Sequence, residues 1–141
     1  MKTQNPNEPH AILDHVAVAV RSIDEALPFY RDLLGLVLTE REEVPSQGVR
    51  TAFLGREDAL IELLEPISEG GPVAEFLRKR GPGLHHVAFS VPDIAAASSR
   101  LARAGKPTID EKPRPGARGL QVCFIHPKNC GGVLVELVEG R

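Results

Sequence analysis

Over residues 11–20 the side chains alternate: Leu13, His15, Ala17 and Ala19 fall on one face of an extended chain, Val16, Val18 and Val20 on the other. The spacing then changes to helical. Ser22 with Glu25 three residues later forms a capping pair, Leu27, Tyr30 and Leu34 recur at helical intervals, and Gly35 supplies the stop, so a helix is predicted over 23–34. Pro28 inside it should cost a hydrogen bond or bend the axis. Strands are expected near 36–44, 49–55 and 59–65.

The same plan returns. Leu84-His85-His86-Val87-Ala88-Phe89-Ser90-Val91 repeats Leu13-Asp14-His15-Val16-Ala17-Val18-Ala19-Val20, and Leu134-Val135-Glu136-Leu137-Val138-Glu139 repeats Leu60-Ile61-Glu62-Leu63-Leu64-Glu65. Asp93 can cap a helix over 94–104 that carries Ile94, Ala97 and Leu101 and ends at Gly105. Strands should follow near 106–110, 120–127 and 132–138. Between the halves, Gly70-Gly71-Pro72 opens a short helix closed at Gly81, while Lys112 to Gly119, with two Pro and two Gly, suggests an exposed, mobile loop. The expected organisation is therefore a tail over residues 1–10, a first βαβββ module over 11–66, a linker with a short helix over 67–82, and a second βαβββ module over 83–141. One such module leaves a sheet face uncovered. Two side by side give an α+β fold, a half-open barrel sheet around a cleft with helices outside.

Strand parity places His15 with Ala17 and Ala19, and His86 with Ala88 and Ser90, opposite the Val and Phe residues suited to packing under helices. Glu62 and Glu136 are flanked by branched apolar residues in strands that should be mostly buried, where an unpaired carboxylate costs several kcal/mol or shifts its pKa. Alone, His15 would be an ordinary core or surface histidine and Glu62 a solvent-facing strand residue. Their recurrence at matching repeat positions favours a site in which His15, Glu62, His86 and Glu136 hold one divalent cation. His85 falls on the opposite face and is expected to be structural or exposed; His126 ends a strand, and His10 lies in the tail.

Composition narrows the function. A net charge of −2 offers no attraction for nucleic acid or an acidic membrane surface, and no apolar run approaches the roughly 20 residues that span a bilayer. Residues 1–9 lack the apolar stretch of a secretory signal, and the two cysteines, Cys123 and Cys130, have no metal-type spacing; reduced thiols and a cytoplasmic location are expected. With five Phe, one Tyr and no Trp, a large aromatic ligand groove is disfavoured.

From Leu13 to Glu139 the chain resembles the vicinal oxygen chelate superfamily and, within it, the methylmalonyl-CoA epimerases. The resemblance is carried by Leu13-Asp14-His15-Val16-Ala17-Val18, Phe29-Tyr30, Leu34-Gly35, Gln47-Gly48-Val49, Glu62-Leu63-Leu64-Glu65-Pro66, Gly83-Leu84-His85-His86-Val87 and, most specifically, His126-Pro127-Lys128-Asn129-Cys130-Gly131-Gly132-Val133-Leu134-Val135-Glu136-Leu137. It implies metal ligation by His15, Glu62, His86 and Glu136, with Co2+ foremost and Mn2+, Zn2+ or Mg2+ as alternatives. It also implies a homodimer acting on a small acyl-CoA. The implied chemistry is removal and return of the proton between a thioester and a carboxylate, with Glu136 and Glu62 as the candidate acid/base residues. In several family members the position of Glu62 is a Gln. Some bacterial epimerases carry a glutamate where this chain has Thr51, which cannot serve as a base. Lys112, Arg114, Arg118 and Lys128 are candidate contacts for the coenzyme phosphates. The alternatives on the same scaffold are an isomerase of the glyoxalase type, an Fe2+ dioxygenase, which the extra carboxylate of Glu62 argues against, and a non-catalytic ligand-binding protein.

Overall fold

In the computed structural model, which describes residues 10–56 and 59–140, strand β1 (Ile12–Ala19) leads into helix α1 (Ile23–Leu27) and then β2 (Leu38–Val44), β3 (Val49–Arg56) and β4 (Ala59–Pro66). Helix α2 (Pro72–Arg80) links to β5 (Gly83–Val91), α3 (Ile94–Arg103), β6 (Arg114–Pro115), β7 (Gln121–Ile125) and β8 (Val135–Glu139). All eight strands join one curled sheet in the order β2-β3-β4-β1-β5-β8-β7-β6. Within each half the first strand runs parallel to the last, β1 with β4 and β5 with β8, and the halves meet where β1 pairs antiparallel with β5. The expected α+β half-barrel is the observed fold. The tail expected over 1–10 lies, apart from His10, outside the described residues.

The two faces of the sheet divide as strand parity requires. Outside, Val20, Ile23, Leu27, Ala52, Leu54 and Leu63 bury α1 against the first half, and Val91, Ile94, Cys123, Ile125 and Leu137 bury α3 against the second. Inside, Val73 and Leu77 of α2 pack on Ala17, Ala19 and Leu64 and close one end of the cleft. Each half fastens its outer helix in the same way. Ser22 Oγ accepts from Glu25 N–H at 3.2 Å and Asp93 Oδ1 from Ala96 N–H at 3.0 Å. The second glutamate of each repeated strand, Glu65 or Glu139, reaches across to accept from Ile23 N–H (2.8 Å) or Ile94 N–H (3.0 Å). A carboxylate there satisfies an orphan helix amide and meets the positive end of the helix dipole.

Three expectations require correction. Pro28 cannot donate, and at that residue the α-helix gives way to a π-helical segment, Pro28–Leu33, in which Leu34 N–H reaches Phe29 O at 3.0 Å; the helix widens there. The strand expected near 106–110 is absent. That stretch makes one ladder-like contact, Ile109 N–H to Phe124 O at 2.7 Å, and the edge strand is the two-residue β6. The segment 112–119 is not simply an exposed loop, since Ala117 is buried and Arg118 is turned inward, its side chain 16% exposed.

Candidate metal centre

Two rows of residues cross the sheet where the halves meet. In one, His15 on β1 stands beside Ala88 on β5, Glu136 on β8 and Phe124 on β7; in the other, His86 on β5 stands beside Ala17 on β1, Glu62 on β4 and Phe53 on β3. Each row is the repeat image of the other. In both, an alanine with no exposed surface separates imidazole from carboxylate and keeps the space between them clear. The phenylalanines set the orientation: Phe53 meets His15 edge-on with ring centroids 5.2 Å apart, and Phe124 meets His86 at 5.6 Å.

All four predicted site residues come together. Their ligand-type atoms lie within 4.8 Å of one another, and each residue is buried. His15 Nε2 is 3.1 Å from Glu62 Oε1 and 3.3 Å from Glu136 Oε1; His86 Nε2 is 3.5 Å and 3.2 Å from the same oxygens. Such spacings are expected of neighbouring donors that each stand about 2.1 Å from one shared ion. Both Nε2 atoms are buried and lack a hydrogen bond of acceptable geometry among the described residues. Two imidazole nitrogens and two carboxylate oxygens suit a borderline-to-hard divalent cation, so the residues present fit such an ion.

The outer ring of contacts was not legible from alternation. The β1–β5 register skips Asp14 on one strand and His85 on the other, a bulge immediately before each site histidine. The bulge cancels the parity that should have sent these side chains to the far face. Asp14 Oδ2 lies 2.7 Å from His15 Nδ1, and His85 Nδ1 lies 2.9 Å from His86 Nδ1. Hence His85, expected to be structural or exposed, is a half-buried partner of the site. Holding Nδ1 leaves each Nε2 lone pair facing the centre, the usual outer support of a metal-ligating histidine. The only available signal was that both positions immediately precede the histidines within the repeated motif.

The electrostatics follow from this ring. Burial disfavours a charged His15, but its hydrogen bond to Asp14 and the nearby Glu136 and Glu62 outweigh burial and push its pKa up to about 11. His86 is likewise opposed by burial and raised to about 9 by Glu136 and Glu62. Burial raises the carboxylates, and the paired imidazoles more than reverse it: Glu136 is held at about 2, and Glu62 is also lowered. Asp14, despite burial, is held at about 2 by His15 and Arg118. Burial first, then the charge of His86, pushes His85 down to about 4, so it is neutral and accepts the His86 Nδ1–H.

A stability profile follows for the metal-free protein. The two raised histidines contribute stability that is complete below about pH 6.5 and vanishes as pH climbs through their folded values of about 9 and about 11. The lowered Asp14 and Glu136 contribute above the ordinary carboxylate range, and that share is lost as pH falls through about 2. The metal-free melting temperature should therefore decline between about pH 7 and 11, whereas bound cation, which replaces those protons, should flatten the decline. Melting curves with and without Co2+ across that range test this; a flat metal-free profile contradicts it.

Beside the centre lies a cleft of about 480 Å3 with His85 and His86 in its wall, apolar sides from Val49, Leu64, Phe124 and Leu134, and Ser46, Gln47, Asp110 and Arg114 as further polar members. Of the four basic residues expected to meet coenzyme phosphates, Arg114 lines this cleft, Lys112 is exposed on a loop, Lys128 is exposed on the 3-10 turn Pro127–Asn129, and Arg118 points instead at Asp14. Thr51, fully buried on β3, shares the inner face with Val49 and Phe53, and its Oγ1 has no hydrogen-bond partner among the described residues.

Comparison with known proteins agrees with this geometry. Residues 14–124 match the family model of the glyoxalase/bleomycin resistance protein/dioxygenase superfamily. The chain is 41% identical over 128 residues to mitochondrial methylmalonyl-CoA epimerase of Mus musculus, covering 90% of this chain and 72% of that protein. It is 42% identical over 129 residues to ethylmalonyl-CoA/methylmalonyl-CoA epimerase of Cereibacter sphaeroides, covering 90% of this chain and 96% of the relative. A solved methylmalonyl-CoA epimerase in complex with methylmalonyl-CoA and NH4+ superposes with a TM-score of 0.88 at 34% identity, covering 92% of this chain and 94% of that one. With the repeat, the curled sheet and the His2Glu2 cluster in place, the chain belongs to the glyoxalase/bleomycin resistance protein/dioxygenase superfamily and, within it, to the methylmalonyl-CoA epimerase family.

Proposed function

We propose that this chain interconverts (2R)- and (2S)-methylmalonyl-CoA by removing the α-proton from one face and delivering a proton to the other. The observation that carries this is the buried ring of His15, Glu62, His86 and Glu136 beside an apolar cleft, in a chain about 40% identical to epimerases along nearly its whole length. In this proposal the four residues are the ligands of a divalent cation, Co2+ foremost. When bound, the cation supplies Lewis-acid stabilisation for the negative charge that gathers on the thioester oxygen as the proton leaves.

The chain's residues do the rest. Val49, Leu64, Phe124 and Leu134 exclude water from the acyl group, which strengthens every electrostatic contact at the centre. Glu136 is the first candidate to take the proton. Its Oε1 faces the imidazoles, and a second oxygen remains for the substrate. It is unprotonated at neutral pH, the state that accepts a proton. Glu62 is the candidate for the opposite face, directly or through a water. Thr51 offers a hydroxyl and no basic group, so it does not supply the second proton carrier. Arg114, at the wall of the cleft, is placed to meet the coenzyme portion. The name of the Cereibacter sphaeroides relative supports including ethylmalonyl-CoA among the substrates. A homodimer and a cytoplasmic location complete the proposal. No helix among the described residues is long and apolar enough to cross a membrane.

The test is a coupled assay on each epimer with Co2+ or with chelator, run in D2O. Interconversion with deuterium entering the α-carbon only when metal is present is expected. Absence of exchange in the metal-loaded protein removes the proposal.

A further inference from the structure

Among the described residues, Arg118 is the single non-glycine residue with positive φ, at 60°. A side chain is held in the left-handed region only where its surroundings over-determine it, and such positions gather at functional sites. Here three contacts do so. The backbone N–H of Arg118 donates to Glu42 Oε1 at 2.6 Å, its guanidinium lies 4.6 Å from the centroid of Phe53, and its Nη2 donates to Asp14 Oδ2. The same Asp14 oxygen accepts from His15 Nδ1, and Phe53 is the ring that meets His15 edge-on. Arg118 thus touches both groups that orient His15, from a loop of the other half of the chain.

Among the described residues the second half has no counterpart to this Arg118 contact. His86 leans on the imidazole of His85, which packs against Phe76 with ring centroids 5.0 Å apart. Of the two site histidines, His15 and His86, only His86 lines the cleft. The two supports therefore differ: the histidine away from the cleft is held by an aspartate–arginine pair, and the one facing the cleft by a second imidazole.

We infer that Arg118 is a positioning residue of the metal centre, acting through Asp14 to fix the ring of His15, and that it does not contact the acyl-CoA. The inference rests on the metal-binding proposal above. Asp14 Oδ2, fixed between two donors, holds the His15 ring in one tautomer with Nε2 toward the centre. Losing the guanidinium frees the carboxylate to rotate and the ring to tilt.

The experiment is a Co2+ titration followed by visible d–d absorption, in the wild type, Arg118→Met, Arg118→Lys, Asp14→Asn and the Asp14→Asn/Arg118→Met double variant. R118M should weaken Co2+ binding by about 10-fold and alter the absorption band, the usual scale for an outer support of a ligating histidine. R118K should recover most of the loss. In the D14N background, R118M should add less than about 2-fold, because the two substitutions break one chain of contacts. The KM for methylmalonyl-CoA should not rise in R118M. Unchanged Co2+ affinity in R118M, multiplicative effects in the double variant, or a raised KM with intact Co2+ binding each overturns the inference while leaving the metal proposal standing. A wild type that binds no Co2+ removes both. Should R118M misfold by circular dichroism, R118K and D14N decide: both binding Co2+ with the wild-type band refutes the coupling, and a weakened D14N with a mildly weakened R118K supports it.

Discussion

Replacing Glu136 by glutamine is expected to lower kcat/KM for methylmalonyl-CoA by about 1,000-fold or more, from loss of both a proton-accepting group and an anionic ligand. Glutamine matches the shape of glutamate, so the sheet should persist. The substitution instead removes the charge that faces both imidazoles at 3.3 and 3.2 Å. The ring would then hold one carboxylate against two histidines, and cation binding should weaken. The comparison with E62Q is informative. Glu62 occupies the equivalent place in the first half; as it is the candidate for the opposite face, its replacement should also cost at least about 100-fold, whereas a loss within roughly 10-fold would hand that proton to a water. Steady-state kinetics with metal content measured on the same samples separate lost ligation from lost proton transfer. An E136Q protein with near wild-type turnover would move the proton-accepting role elsewhere.

Replacing Ala88 by valine should abolish cation binding, by about 100-fold or more in affinity, at a modest cost in stability of about 1–3 kcal/mol from overpacking. Ala88 has no exposed surface and sits in the sheet directly between His15 and Glu136. Two added methyl groups have nowhere to go except toward the centre, and they would part the donors whose spacing depends on that gap. The repeat makes A17V an independent replicate, because Ala17 separates Glu62 from His86 in the same manner. The control is A88G, which keeps the gap open at a backbone cost of about 0.5–1 kcal/mol and should still bind Co2+. Calorimetric titration with Co2+ and thermal melting check all three. If A88V bound metal as the wild type does, the cation would not lie between these rows.

Much of the centre is legible in the sequence. Duplication marks equivalent positions without reference to a structure, and period-two alternation assigns each residue of a continuous strand to a face. Together they separate His15, Glu62, His86 and Glu136 from the Val, Leu and Phe residues that support the helices, and they single out Ala17 and Ala88 as small neighbours. The helices over 72–80 and 94–103 were likewise local matters, settled by Pro72, Asp93 and the glycines that end them.

Alternation fails wherever a strand carries one residue more than its partner. Whether Asp14 and His85 bulge depends on how β1 meets β5, a pairing between segments far apart in the chain. Only the assembled sheet could bring these two side chains round to the histidines, place Phe53 and Phe124 against the imidazole edges, and give Glu65 and Glu139 their helix amides. The segment 106–119 shows the same limit. Its Pro and Gly content announces a loop, but whether that loop stays in solvent or sends Arg118 under the other half is decided by Glu42, Phe53 and Asp14, which only folding brings near. The sequence by itself determined which residues form the centre, through local periodicity and its repetition. Tertiary structure alone decided how that centre is held, because its supports are contacts between strands that the chain order keeps apart.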